Sequence, residues 1–382
     1  MHLNKKPVRA AETTGNAAGD TTTTEQEQAD DNHIEIDDDS DSSYSAATNI
    51  TDTQSLRTSI LNYKWENGRR YHAYQDGAYW GPNDDRQQEA EDLMHEMYRI
   101  IMEDKLYAAP IGDNPQACRS TQLPLQTLTY FSAYPRRGLR YRHLGHLIVF
   151  SQFADEHSSA EVIGVDLSPI QPGFVPPNCK FEVDDINQEW TYPDNTYDFV
   201  HIRGMTGCIP DWVELHKKAY KSLKPGGWVE HVELWGIAKS DDGSLKSDSP
   251  AKKWVDVFKK IGEAIGKDFF TGHQAADFQR EAGFENVYEK RLKVPIGPWP
   301  KDKKLKQWGA WNRQFLLQAL EGFSIRGLTE MLGWSYDDAQ VFLVDMRKEL
   351  LNPQLHAYTD VTIIYGQKLH EQGHGGTSQS LA

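Results

Sequence analysis

Three carboxylates, a histidine and an arginine fall at the ends of short apolar runs in the middle of this sequence. Asp166 closes the run EVIGVD. An acidic side chain that ends a strand can accept hydrogen bonds from both hydroxyls of a ribose. The same residue, followed by Ser168, can equally cap a turn or helix. One run later, VDDIN supplies Asp184 and Asp185. A carboxylate there can accept from an adenine amino group while Ile186 packs on the base. Carboxylates are common in turns, so the weight of this reading comes from its place one strand after Asp166. In YDFVHIRG, His201 and Arg203 sit near the end of a third run, where a histidine can also be a satisfied core residue. Nearer the N-terminus, GRRYHAY sets Arg69 and Arg70 beside Tyr71 and Tyr74. Two guanidinium groups so placed can clamp a carboxylate, and aromatic packing explains the tyrosines as well.

These residues need a frame that brings strand ends together. AEVIGVDLS, KFEVDDIN, YDFVHIRG and WVEHVELWG read as β-branched strands. DWVELHKKAYKSL reads as a helix stopped by Lys224, Pro225, Gly226 and Gly227, a tight connection into the next strand. Strands alternating with helices predict a parallel, doubly wound α/β sheet whose chemistry sits at the strand C-termini. QQEAEDLMHEMYRIIMEDKLY has Leu93, Met97, Ile100 and Ile101 at helical spacing. AKKWVDVFKKIGEAIGKDF and HQAADFQREAGF continue as helices, and FENVYEKRLKVPIG as a strand. Two further helical stretches, KQWGAWNRQFLLQALEGFSIRGLTEMLGW and SYDDAQVFLVDMRKELLN, precede a last strand, AYTDVTIIYGQKL.

The chain has 382 residues, 38% of them hydrophobic, with a net charge of −15 and a mean hydropathy of −0.68. That charge argues against nonspecific binding of nucleic acid or an anionic membrane surface. No apolar run reaches the length of a membrane span. The opening residues lack the apolar stretch of a signal peptide, and the three cysteines lack metal-site spacing. The expected compartment is therefore reducing, cytoplasmic or nuclear, with no metal bound. DDNHIEIDDDSDSSYS, in an N-terminal stretch rich in Thr, Glu, Asp and Ser, is too charged and too poor in apolar anchors to pack. It reads as a solvated tail, or a partner-binding one.

Taken together, YKWENGRRYHAYQDGAYWGPND, FADEHSSAEVIGVDLSPIQPGFVPPNCKFEVDDINQEWTYPDNTYDFVHIRG and AYKSLKPGGWVE resemble class I S-adenosylmethionine-dependent methyltransferases. The resemblance is closest to the fungal group related to the LaeA regulator of secondary metabolism, and it runs from about Ile60 to Lys368. It implies a Rossmann-like, seven-stranded sheet with helices on both faces, its last strand inserted antiparallel after a helical cap. It also implies S-adenosyl-L-methionine as cofactor, with Asp166 on the ribose and Asp185 with Ile186 on the adenine. Leu167, Asp184, His201 and Arg203 complete the implied cofactor-binding set, and Arg69, Arg70 and Tyr71 help to close it. The partners so implied are a small-molecule or protein methyl acceptor and a regulatory protein. No catalytic residue is assigned, because an already activated methyl donor needs positioning more than a base. His201, His231 and Glu233 are the candidates near strand ends.

The resulting plan is an acidic tail (1–50), a helical and aromatic segment (51–116), an anomalous segment (117–152), the core (153–298), the cap (299–352), the last strand (353–370) and a loose tail (371–382). The anomaly lies where the family keeps a loop of the type D-x-G-x-G-x-G, whose glycines let backbone approach the cofactor's methionine part. This sequence has Arg140, Arg142, His143 and His146 there. Back-translated with permitted codons and read one base on, RYRHLGHL becomes Asp-Ile-Gly-Thr-Ser-Gly-Thr. That predicts out-of-frame translation or a retained intron, against a real divergent insertion. Two rival functions follow: a catalytically inactive relative acting through protein binding, and an NAD-dependent oxidoreductase. The second lacks its own G-x-G-x-x-G, and VDDIN with LKPGGW argues against it.

Overall fold

A computed structural model describes residues 61–112, 117–118, 148–170 and 175–370. The acidic tail, most of the anomalous segment and the loose C-terminal tail lie outside the described residues. The chain opens with a hairpin, β1 (Lys64–Glu66) and β2 (Arg69–Tyr71), paired antiparallel. Asn67 and Gly68 form its two-residue turn, both with positive φ (50° and 74°), the geometry that Asn-Gly favours. Helix α1 (Asp85–Ile101) follows, its first turn capped by Asp84 through the amide of Gln87.

The main sheet contains β3 (Ala117–Cys118), β4 (Glu161–Asp166), β5 (Cys179–Val183), β6 (Tyr197–Arg203), β7 (Leu223–Leu234), β8 (Glu285–Pro295) and β9 (Tyr358–Gln367). Their order is β5-β4-β3-β6-β7-β9-β8. The first five run parallel, and β9 lies antiparallel between β7 and β8. This is the expected seven-stranded sheet with its inserted last strand. Helices α2 (Ile148–Glu156), α3 (Trp212–Ser222), α4 (Pro250–Ile265) and α5 (Ala275–Glu281) flank it. Strands β4 and β6 are buried almost throughout, as strands covered on both faces must be. Ile163, Val165, Val200, Ile202 and Val229 share one core with residues of α3 and α4. Val162 and Phe199 belong to another with Phe150 and Phe153 of α2.

Helices α6 (Lys303–Arg326) and α7 (Tyr336–Leu351) form the cap between β8 and β9, capped by Asp302 and Ser335. Helix α6 and α1 pack together in a core with Met94, Phe315 and Leu320.

Two sequence expectations change. Residues 64–71, which carry no strand expectation in the helical and aromatic segment, form a hairpin. Lys224–Gly227 are not a connection: β7 begins at Leu223, directly after α3, and takes all four residues into the strand. The pairing with β6 skips from Tyr197–Leu223 to Phe199–Trp228, so these residues form an irregularity in the register. Gly226 and Gly227 are held by backbone bonds to Lys368, the residue after β9.

Candidate functional site

The ends of β4 and β5 are neighbours, β6 lies across β3 from them, and the last residues of all three build one edge of the site. Asp166 is 2% exposed, and its Oδ1 accepts the Ser168 amide at 2.7 Å. Ser168 Oγ accepts from Asn83 Nδ2 at 3.1 Å. Asn83 in turn takes Arg70 through Nε to Oδ1 (3.2 Å) and Nη2 to its carbonyl (2.6 Å). The segment before α1 is thereby tied to the turn after β4, and the Arg70 guanidinium lies 4.9 Å over the Tyr63 ring. Leu167 is buried in the core beneath this turn.

Arg69 does clamp a carboxylate, but one from this chain. Its Nε and Nη2 meet Asp84 Oδ2 and Oδ1 at 2.6 and 2.8 Å. Tyr71 is fully buried, with the Arg326 guanidinium of α6 4.6 Å above its ring. Arg326 also pairs with Glu66 and Asp76, which joins the hairpin to the cap. Of the three residues, only Arg70 reaches the Asp166 turn.

At the end of β5, the backbone amide of half-buried Asp184 donates to the Asp166 carbonyl at 3.0 Å. Asp185 is buried and accepts the Asn187 amide at 2.9 Å, so it shapes the turn. Ile186 is buried in the core. Lys218 of α3 pins the same turn by donating to the carbonyls of Ile186, Asn187 and Gln188 at 3.2, 2.9 and 2.7 Å. No local sequence signal marks Lys218, because its partners lie about thirty residues upstream.

On β6, His201 is buried, with Nδ1 3.2 Å from Glu230 Oε1 of β7. The approach lacks hydrogen-bond geometry. Glu230 spends its other oxygen on the amides of Ala108 and Ala109 (2.6 and 2.7 Å). Burial pushes the His201 pKa below its ordinary value despite the opposing pull of Glu230, the behaviour of a core histidine. Arg203 is 1% exposed. Its Nη2 lies 2.9 Å from His95 Nδ1 and its guanidinium 5.1 Å from the Tyr98 ring centroid, both on α1. Burial lowers its pKa to about 10, which leaves it charged at neutral pH. Its Nε is buried without a hydrogen-bond partner. No carboxylate among the described residues forms an ion pair with it.

Beyond the ends of β6 and β7 opens a cavity of about 90 Å³. Gly204, Thr206, Glu233 and Trp235 form its floor, α1 adds Met94 and Tyr98, α4 adds Trp254 and Phe258, and α6 adds Phe315 and Phe323. Glu233 is 2% exposed and accepts the Thr206 hydroxyl at 2.5 Å and the Met205 amide at 2.9 Å. His231 is stacked on Trp212 at 4.5 Å and has Nε2 3.4 Å from Glu233 Oε2. Of the three base candidates, only Glu233 lines the cavity. The aromatic residues come from widely separated segments, so no spacing in the sequence marked the cavity.

A family model for a methyltransferase domain matches residues 145–289. Methyltransferase pytC of Aspergillus terreus is 34% identical over 338 residues, covering 88% of this chain and 96% of the relative. The secondary metabolism regulator LAE1 of Cochliobolus heterostrophus is 31% identical over 301 residues, 78% of this chain and 92% of the relative. Among solved structures, Haemonchus contortus phosphoethanolamine N-methyltransferase 2 with S-adenosyl-L-methionine aligns with a TM-score of 0.44 at 14% identity, over 83% of this chain and 73% of that one. On the sequence relatives and the strand order together, this chain belongs to the class I S-adenosylmethionine-dependent methyltransferases, in the fungal group of the LaeA regulators.

Proposed function

We propose that the protein transfers a methyl group from S-adenosylmethionine to a small molecule held in the cavity beyond β6 and β7. The observation that carries this reading is the adjacency of two unlike sites. A row of polar groups runs along the ends of β4, β5 and β6, and an aromatic cavity opens beside Gly204. The polar row fits the donor. Asp166 suits its ribose, and Asp185 with Ile186 its adenine, with Leu167 and Asp184 shaping the turns. The buried Arg203, with its orphaned Nε, suits the donor's carboxylate. Arg70 closes the Asp166 turn through Asn83. Arg69, Tyr71 and His201 act at one remove, by holding the hairpin and the strand behind it. Bound donor supplies an already activated methyl group, so the chain's task is to orient the acceptor and exclude water.

A second reading rests on Arg140–His146, which stand where the family keeps glycines: the chain in this form holds the donor poorly and acts by binding a protein partner. Calorimetric titration with S-adenosylmethionine and S-adenosylhomocysteine separates the two. Micromolar binding that Asp166→Ala weakens at least tenfold supports the enzyme. No binding by the chain as it stands, restored when a D-x-G-x-G loop replaces residues 140–147, supports the second reading.

A further inference from the structure

The cavity has an unusual balance of charge. Nine of its lining residues are Trp, Tyr or Phe, and none is Lys, Arg, His or Asp. Its one carboxylate is Glu233. The Thr206 hydroxyl and the Met205 amide both donate to that carboxylate, the pattern of an acceptor-only group.

The three indole N–H groups are already spent. Trp80 donates to the Thr206 carbonyl at 3.2 Å, Trp235 to Thr362 Oγ1 at 2.6 Å, and Trp254 to Ser324 Oγ at 2.9 Å. Apart from the Tyr98 hydroxyl, which is buried without a hydrogen-bond partner, the aromatic residues therefore offer ring surface to a ligand rather than donors. The rings also brace one another: Trp80 lies 5.2 Å from Phe269 and 5.4 Å from Phe323, and Trp254 lies 5.0 Å from Phe258. Ring faces carry negative potential and attract organic cations. Arg203 at the Tyr98 ring and Lys239 and Arg291 at the Trp235 ring stand outside the lining; inside it there are ring faces, one carboxylate and no cationic residue, which disfavours a phosphate or carboxylate ligand that would have no cation to meet directly. The lining favours an ammonium group on an apolar body.

We infer that the acceptor presents a basic amine on a small apolar body matched to a space of about 90 Å³, its nitrogen seated at Glu233. This deepens the methyl-transfer reading and rests on it for the reaction, though not for the binding. The amine enters as ammonium. One N–H proton passes to a Glu233 carboxylate oxygen, which frees the nitrogen lone pair; that pair would form the N–C bond to the methyl group as the donor's S–C bond breaks, giving a methylated ammonium and S-adenosylhomocysteine, and the proton leaves Glu233 to solvent. Glu233 thus selects the charge and prepares the nucleophile, while the rings hold the body.

The test uses the full chain and three ligands of one small shape: isopentylamine, isopentanol and 4-methylpentanoate, each titrated by calorimetry with and without S-adenosylhomocysteine. The expected result is isopentylamine tightest by at least tenfold, with that preference lost in Glu233→Gln. Equal or tighter binding of the alcohol or the acid by the wild-type chain overturns the inference, and this ranking needs no variant to fold. So does an isopentylamine preference that survives in Glu233→Gln, or tighter binding of a lysine-containing peptide than of the free amine. Amine selectivity without any S-adenosylhomocysteine binding upholds the inference while the methyl-transfer reading fails.

Discussion

The Arg69–Asp84 pair is the most exacting test of how the site is held. The two side chains are only 5% and 15% exposed and meet through two parallel bonds. Asp84 also takes the amides of Arg70 and Gln87, so one carboxylate fastens the hairpin and starts α1. Replacing Arg69 by Met removes both charged bonds and leaves a nearly buried carboxylate to two amides. Removing one partner of a buried pair costs about 3–5 kcal/mol, and the residual exposure of Asp84 brings the expectation to the lower end, ~3 kcal/mol. Asp84→Asn keeps the helix cap but strands the guanidinium, at ~2 kcal/mol. The double variant has no stranded charge, and its loss falls ~1.5–2 kcal/mol short of the sum. Urea unfolding followed by tryptophan fluorescence reads all three as midpoint shifts at constant slope. A loss below ~1 kcal/mol for Arg69→Met, or simple additivity in the double variant, refutes the reasoning. The pair also has a pH signature. Burial alone would raise the Asp84 pKa, but Arg69 and the two amides outweigh it and hold it below the ordinary range. Its contribution is therefore full above the unfolded value of about 4 and is lost as pH falls through the lower folded value.

Three more expectations follow from burial. His72 and His216 are buried, which lowers their pKa values to about 4 and about 3. The unfolded chain takes up protons that the native state refuses below about pH 6.5. Each residue thus removes ~2 kcal/mol of stability by pH 5, and His216→Gln should lessen the drop between pH 7.5 and 5 by that amount in urea melts. The thiols of Cys179 and Cys208 are pushed up to about 12 by burial. In a Cys118→Ser chain at pH 8, neither should react with an aromatic disulfide reagent until urea unfolds the protein; fast reaction of either in buffer contradicts their placement. At Gly164 in β4, an added Cβ would meet the Phe181 ring at 2.5 Å and the Phe150 ring at 3.2 Å. Gly164→Ala should cost ~1–3 kcal/mol, and an unchanged urea midpoint would mean the two rings pack elsewhere.

Much of the sheet could be read from the sequence because its signals are local. EVIGVD is an apolar strand with its polar residue at the end, and Asp166 stands where that reading put it. The cap was legible for the same reason, as two long helical stretches between strands. What escaped depends on distance. Strands β1 and β2 have three residues each, too few for alternation to register, although Asn67-Gly68 was the signal to follow. Pro225 and the two glycines read as punctuation, yet Lys368, more than a hundred residues later and just past β9, provides the backbone partners of both glycines. Arg69 was recognised as a carboxylate clamp, but the clamped group proved to be Asp84. Glu233 stood among three possible bases, and only the folded cavity distinguishes it from His201 and His231.

The cap leaves the sheet and returns to it at one point. Pro295, the last residue of β8, pairs with Tyr358, the first of β9, the Ile296 amide donates to the Ala357 carbonyl, and the Trp299 indole donates to the same oxygen. The whole of α6 and α7 is thus an excursion pinched shut at its base, grafted onto a scaffold whose strands are already joined beneath it. Natural variation in such a graft can reshape the chamber it roofs without disturbing the opposite side of the molecule. Chains sharing one sheet can in this way differ in the chamber alone.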